Sequence, residues 1–307
     1  MALLIVATDR DTTRLAEQVT RLAPDIDVRN WPDIGQREDI EFAVLWRQPH
    51  GLVASLPALK AVSSLGAGVE HVLADPELPQ ALPVGRLAGP RLASDMAAFL
   101  VAQVLWHWKG LDRYAGLQRE KQWKPWSPRS LPTIGLLGTG QLGCAAARAF
   151  QALDLPVTGW SRSGTGPTSV SMHCGDQGLR DLAATADYLI CLLPLTDQTR
   201  NMLDRKLFEA MKPEAVLINV GRGEHLVEED LLRALDDEQL ALAILDVFRT
   251  EPLPQHHPFW THPKVRITPH CSAITRTDEA AELIVESYRR VQAGREPLGI
   301  VRRELGY

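Results

Sequence analysis

Leu136-Leu137-Gly138-Thr139-Gly140-Gln141-Leu142-Gly143 is the stretch on which the fold turns. The apolar run Thr133 to Leu137 reads as a short buried strand, and Gln141 to Leu153 carries helical spacing. The pattern G-x-G-x-x-G therefore lies between a strand and a helix, which is the context that gives it meaning. Gly138 permits a tight turn, Gly140 lets the backbone approach a pyrophosphate with no Cβ in the way, and Gly143 lets helix and strand pack closely. A pyrophosphate there would meet the free N–H groups and positive dipole end of the helix. A glycine-rich turn in some other α/β protein is the bland alternative.

Outward from this turn the chain alternates strand and helix. Towards the N-terminus, Leu3 to Ala7, Phe42 to Trp46, Ala61 to Leu65 and Pro83 to Leu87 read as strands, with a helix over Asp11 to Leu22. A long helix is expected to start at an N-cap near Ser94-Asp95 and to run to Trp108 or Gln118. The polar segment Lys121 to Pro132 then reads as an arm or linker. Beyond the glycine turn, strands are expected at Val157 to Trp160, Tyr188 to Leu192, Ala215 to Asn219, Leu242 to Asp246 and Val265 to Thr268. A helix over Thr277 to Gln292 follows. Continuous apolar strands alternating with amphipathic helices mean α/β architecture, with doubly wound parallel sheets covered on both faces.

The composition sets limits on function. The chain has 307 residues, 45% of them hydrophobic and 23% charged, with a net charge of −5. That length suits two domains. No basic stripe with interleaved aromatics points to a nucleic acid, and no run approaches the roughly 20 apolar residues that span a bilayer. A cytoplasmic protein is expected. Cys144, Cys174, Cys191 and Cys271 form no C-x-x-C pair and read as free thiols. His256, His257 and His262 sit in a proline-rich loop, and no metal site is expected.

Four later segments carry chemistry. Ser161-Arg162-Ser163 follows the strand after the glycine turn, where an NAD site places an acidic residue for the ribose 2′-hydroxyl. No carboxylate is present there. Arg162 and its flanking hydroxyls instead suit a 2′-phosphate, with an exposed surface arginine as the alternative. Val220-Gly221-Arg222-Gly223, the loop Asp246 to Leu253, and Thr268-Pro269-His270 each follow a strand of the same series. Open α/β sheets bind ligands at that edge. Arg222, Glu251 and His270 would singly read as structural; together on one edge they suggest a cation beside an acid–base pair.

These motifs resemble the D-isomer-specific 2-hydroxyacid dehydrogenase family nearly end to end, and within it most the glyoxylate/hydroxypyruvate reductase branch. The resemblance rests on Leu65-Gly66-Ala67-Gly68-Val69, the glycine turn, Trp160-Ser161-Arg162-Ser163, Asn219-Val220-Gly221-Arg222-Gly223, Asp246-Val247-Phe248, Glu251-Pro252-Leu253-Pro254 and Thr268-Pro269-His270. It implies a Rossmann NAD(P)-binding domain at 96–274, inserted into a flavodoxin-like substrate domain formed by 1–95 and 275–307. Catalysis would fall to Arg222, Glu251 and His270. Cofactor contacts would come from Gly138, Gly140, Gln141, Leu142, Gly143, Ser161, Arg162, Ser163, Leu193, Pro194, Thr199, Val220, Gly221, Arg222, Asp246, His270 and Ser272. The substrate would meet Trp46, Gly66, Ala67, Gly68, Arg222 and His270, with Trp46 equally readable as a core aromatic. The tryptophan-rich stretch Trp106 to Trp126 aligns with the family's dimerisation arm, which implies a homodimer.

The expected activity is reduction of glyoxylate to glycolate and hydroxypyruvate to D-glycerate, with NADPH preferred over NADH. A reductase of a larger 2-keto acid is the neighbouring alternative. A non-catalytic dinucleotide sensor that binds partner proteins is the alternative of a different class, although the chain lacks the long disordered tails of a hub.

Overall fold

The computed structural model describes residues 2–127 and 130–307. The chain divides into two compact units: Met1–Leu92 with Thr275–Tyr307, and the continuous stretch Ala93–Ile274.

The first unit holds β1 (Ala2–Ala7), α1 (Thr13–Leu22), β2 (Asp27–Asn30), β3 (Ile40–Trp46), β4 (Ala61–Ser64), α2 (Glu70–Leu73) and β5 (Val84–Arg86). The helix α3 (Pro90–Trp108) starts in it. The strands make a five-stranded sheet in the order β2-β1-β3-β4-β5, with every pairing parallel. This is the flavodoxin-like winding. Alternation along β1 feeds both faces: Leu3 and Ile5 enter one core cluster, Ala2, Leu4 and Val6 the other.

The second unit continues with α4 (Leu111–Arg119), β6 (Ile134–Leu137), α5 (Gln141–Gln151), β7 (Val157–Trp160), β8 (Ser171–His173), α6 (Gly175–Thr185) and β9 (Tyr188–Cys191). Then come α7 (Arg205–Ala210), β10 (Ala215–Asn219), α8 (Glu228–Asp236), β11 (Leu240–Leu245) and β12 (Val265–Ile267). Its seven strands run β12-β11-β10-β9-β6-β7-β8, all parallel. Winding reverses beside β6, so the crevice at its carboxyl end is the ligand position of a Rossmann sheet. Tyr188, Ile190, Val216 and Ile218 pack on one face of this sheet, and Leu189, Cys191, Ala215 and Leu217 on the other. The chain returns to the first unit for α9 (Thr277–Gln292), whose Ala280, Ala281 and Ile284 are buried in that unit's core.

The α/β class, both parallel sheets and the Rossmann winding agree with the sequence expectation. Two differences are instructive. The long helix begins at Pro90, four residues before Ser94, and breaks at Gly110, whose φ of 63° ends one helix and opens the next. Its first turn is capped from a distance, since the buried Glu279 carboxyl accepts from the N–H groups of Arg91 (2.8 Å) and Leu92 (3.1 Å). Such a carboxyl also complements the helix dipole. The sequence also hid β2 and β8, two edge strands whose residues are exposed or half-buried. Edge strands lack the continuous apolar run that betrays a buried one.

Residues 122–127 and 130–132 have no helix or strand; Pro128 and Arg129 of that arm lie outside the described residues. Among the described residues, no helix is long and apolar enough to cross a membrane.

Candidate active site

In the second unit the sequence-selected residues gather where strands end at the carboxyl edge. The glycine turn follows β6 directly and α5 starts at Gln141. Gly138 has a φ of 98°, and its N–H donates to Trp160 O at 2.9 Å. A Cβ on Gly143 would lie 2.1 Å from Gly138 O, so the helix sits on the turn at a distance only glycine allows. A Cβ on Gly140 would meet nothing within 4 Å, although this residue opens α5. Helix packing thus explains Gly143 and leaves Gly140 to be explained by what the turn binds. The first N–H groups of α5 need acceptors that the helix itself cannot supply, and Gln141 and Leu142 carry them.

Next to the turn, the loop after β7 is tied down by its own hydroxyls. Thr165 O accepts from Ser161 Oγ (2.7 Å) and from Thr139 Oγ1 (3.0 Å), and the Ser163 and Thr165 hydroxyls lie 2.6 Å apart. Arg162 Nη1 donates to Gln198 Oε1 at 2.9 Å. On the other side of β6, the loop after β9 holds Leu193 buried and folds back on itself, Thr199 Oγ1 donating to Pro194 O at 2.7 Å.

The loop after β10 presents Arg222. Buried Asn219 accepts from Gly221 N at 3.2 Å and donates through Nδ2 to Arg222 O at 3.0 Å. His225, fully buried, accepts the Arg222 N–H on Nδ1 at 3.0 Å. Its Nε2 therefore carries the proton and donates to Pro194 O at 3.2 Å. Val220 and Gly221 are buried beneath.

Asp246, which follows β11, is fully buried. Its carboxyl accepts from Thr268 Oγ1 (2.5 Å), Cys271 N (2.9 Å) and Ser272 N (2.9 Å). The chain after β12 is thereby bent so that His270 adopts a φ of 51°, with its N–H on Asp246 O at 2.8 Å. A non-glycine residue reaches this left-handed region only when its surroundings insist. The imidazole is held by Glu251, whose Oε2 lies 2.8 Å from His270 Nδ1 while Oε1 accepts from Phe248 N at 3.0 Å. Burial pushes the Glu251 carboxyl up. The hydrogen bonds from His270 and Phe248 and the charges of His270 and Arg222 outweigh it, leaving the carboxyl below the usual range. With Nδ1 committed to Glu251, Nε2 is the ring nitrogen left for proton exchange.

The remaining residues belong to the first unit. Gly66-Ala67-Gly68 follows β4, and Trp46 ends β3. Ser64 Oγ, under the turn, donates to Gly68 O (2.6 Å) and accepts from Gly66 N (3.3 Å). Trp46 lies against Gly66, packs on His71 (ring centroids 4.7 Å apart) and carries Arg10 4.5 Å above its ring. Trp46 Nε1 donates to Asp9 at 3.2 Å. Trp46 is half-buried and packs against a core cluster of the first unit while its Nε1 reaches Asp9.

Sequence reasoning missed Ser64, His71, Asn219, Gln198 and His225. Each acts through side-chain hydrogen bonds to neighbouring loops or turns, and no periodicity or spacing signals that. The G-R-G-E-H order at 221–225 was the nearest clue for His225.

A parallel nucleotide-type sheet whose carboxyl edge carries a phosphate-sized glycine turn, an arginine and a carboxylate-held histidine defines a dinucleotide-dependent oxidoreductase. Residues 101–272 match the family described as D-isomer specific 2-hydroxyacid dehydrogenase, NAD binding domain, and the chain belongs to that family. It is 40% identical over 291 residues to glyoxylate/hydroxypyruvate reductase A of Serratia proteamaculans, covering 92% of this chain and 93% of that one. Among solved structures it is similar to the D-isomer specific 2-hydroxyacid dehydrogenase of Xanthobacter autotrophicus in complex with NADPH and MES. That likeness has a TM-score of 0.94 and 34% identity, and covers 100% and 99% of the two chains. The NADPH-dependent glyoxylate/hydroxypyruvate reductase of Sinorhizobium meliloti, in complex with NADP and sulfate, matches with a TM-score of 0.91 and 32% identity over 100% of both chains.

The contrast between Gly140 and Gly143 can be tested. Gly143→Ala should lower the melting temperature, because its Cβ collides with the turn. Gly140→Ala should change stability by less than about 1 kcal/mol yet weaken dinucleotide binding. Equal loss of stability in both would refute the assignment of Gly140 to ligand approach.

The Glu251–His270 pair makes a second prediction. Because the Glu251 carboxyl is lowered, the stability it contributes is present above the ordinary glutamate range and disappears as pH falls through its lowered value. Glu251→Gln should therefore destabilise the protein to urea at neutral pH and much less in acid below that value. A penalty independent of pH would mean that the pair is not ionic.

Proposed function

We propose that this protein reduces small 2-keto acids, glyoxylate to glycolate and hydroxypyruvate to D-glycerate, with NADPH as the preferred reductant and NADH the weaker one. The observation that carries the reading is the His270 imidazole, held through Nδ1 by Glu251 at 2.8 Å on the edge that also bears Arg222 and the glycine turn.

The glycine turn and the N-terminus of α5 suit the pyrophosphate, with Gly140 leaving space for its approach. Arg162, Ser161 and Ser163 suit a ribose 2′-phosphate, and no carboxylate stands there to repel it. Leu193, Pro194, Thr199, Val220 and Gly221 line the neighbouring strand ends and would hold the rest of the dinucleotide. When bound, the dinucleotide supplies the hydride. Arg222 pairs with the substrate and polarises its carbonyl, drawing negative charge towards the oxygen. His270 delivers a proton from Nε2 to that oxygen, which completes a 2-hydroxy acid. Glu251 orients the ring and stabilises its positive charge before the transfer. Asp246 and Ser272 act from below, by holding the loop that carries His270. In the first unit, the N–H groups of the Gly66-Ala67-Gly68 turn suit a carboxylate, and Trp46 beside them favours a small side chain.

NADPH oxidation measured with glyoxylate, hydroxypyruvate and larger 2-keto acids tests this directly. Glyoxylate and hydroxypyruvate should give the highest kcat/KM, and His270→Ala should cost about 10²–10⁴-fold. Absence of turnover with every 2-keto acid would reject the enzyme reading in favour of a dinucleotide-binding sensor.

The protein is further proposed to work as a homodimer through the stretch Trp106 to Trp126. Trp123 is 97% exposed there, and Trp106 and Leu111 add apolar surface. Patches of this kind mark contact surfaces. Sedimentation at micromolar concentration should give the mass of two chains; the mass of one would dismiss the dimer.

A further inference from the structure

Three observations in the second unit converge on Gln198, a residue that the chemistry above does not use. In the sheet, β6 lies between β7 and β9. Adjacent strands are about 4.8 Å apart, so the loops after β7 and β9 leave the sheet roughly 10 Å from each other, on either side of the glycine turn. The hydrogen bond from Arg162 Nη1 to Gln198 Oε1 joins those two loops. It therefore links the two loops that flank the glycine turn Gly138–Gly143.

The two ends of this strap differ. On the β7 side the loop is fixed: Thr165 O binds both Ser161 Oγ and Thr139 Oγ1, which ties it to the glycine turn itself. The Arg162 guanidinium projects from that fixed base on a long flexible stem and is exposed. Left to itself, such a side chain loses up to about 2 kcal/mol of rotamer freedom when a ligand immobilises it. Gln198 is one acceptor that receives it in this structure. On the β9 side the loop is braced by Thr196 and Thr199, whose hydroxyls lie 3.1 Å apart, with Thr199 also bound to Pro194 O. Gln198 stands within that brace.

We propose that Gln198 is a specificity-determining positioning residue: its side-chain carbonyl holds the Arg162 guanidinium beside the glycine turn, oriented in advance for the 2′-phosphate of NADPH. A guanidinium carries five N–H donors in a planar fork, more than one side-chain carbonyl at 198 engages. The neutral amide suits this task. It accepts a hydrogen bond without neutralising the arginine, whereas a carboxylate at 198 would compete with the phosphate for the same charge. NADH carries no 2′-phosphate and gains nothing from the arrangement. The proposal rests on the cofactor assignment made above.

The experiment is a set of dissociation constants for NADPH and NADH, from protein fluorescence, on the full-length wild type and on Gln198→Ala, Gln198→Glu, Arg162→Ala and the Arg162→Ala/Gln198→Ala double variant. Gln198→Ala should weaken NADPH about three- to tenfold, the scale of one typical net hydrogen bond, and leave NADH unchanged. Gln198→Glu should weaken NADPH further, again without loss of NADH. In the Arg162→Ala background, removing Gln198 should have no additional effect on NADPH. A merely structural role for Gln198 would weaken both cofactors alike, and that result, or a full Gln198 effect persisting without Arg162, would overturn the proposal. A wild type without preference for NADPH would fail the cofactor assignment itself, and is seen in the first measurement, before any variant.

Discussion

A carboxyl group with no exposed surface, that of Asp246, joins the ends of two neighbouring strands. It stands just past β11, and the groups it accepts from, the Thr268 hydroxyl and the N–H groups of Cys271 and Ser272, stand just past β12. Leaving such a group without partners inside a protein costs several kcal/mol, so the bonds are obligatory once the residue is buried. They bend the chain tightly enough to put His270 into the left-handed region. The imidazole is then available to Glu251, and the position of the proton donor follows from a group that never meets the substrate.

The same logic repeats around the edge. Asn219 and His225 clamp the backbone on either side of Arg222, and His225 reaches on to Pro194 in the loop after β9. Arg249 extends from the Asp246 loop to Leu226 O and to Asn201. Loops that lie far apart in sequence are thus tied to one another by a few polar contacts, most of them half-buried. Preorganisation of this kind is what electrostatic catalysis requires, because charges that are already placed need no reorganisation when the transition state forms.

How much of this was legible depended on whether a feature repeats along the chain. Strands announce themselves as apolar runs, and ten of the twelve among the described residues could be placed that way; β2 and β8, edge strands whose residues are exposed or half-buried, could not. The glycine turn was legible because its steric demands are absolute. Arg222, Glu251 and His270 were found because each follows an apolar strand on the same edge, and because their surrounding motifs resemble a known family. The helix start at Pro90 was misplaced at Ser94-Asp95, where a local cap was sought; the acceptor is Glu279, which is 188 residues from Arg91. Gln198 was invisible for a related reason. A single long-range hydrogen bond leaves no pattern in one sequence.

The way the chain visits its two units has a consequence for how the molecule is made. The second unit is one continuous stretch, Ala93–Ile274, and holds every residue of its own sheet and both of its core clusters. It can close as soon as that stretch has left the ribosome. The first unit is begun earlier but cannot finish: Ala280, Ala281, Ile284 and Tyr288 of α9 fill its core, and the Glu279 that caps α3 arrives with them. The strands of residues 2–86 therefore wait with apolar faces uncovered until α9 has been made. Conditions that slow synthesis of the intervening stretch should expose this half of the molecule to aggregation, although its strands precede those of the second unit.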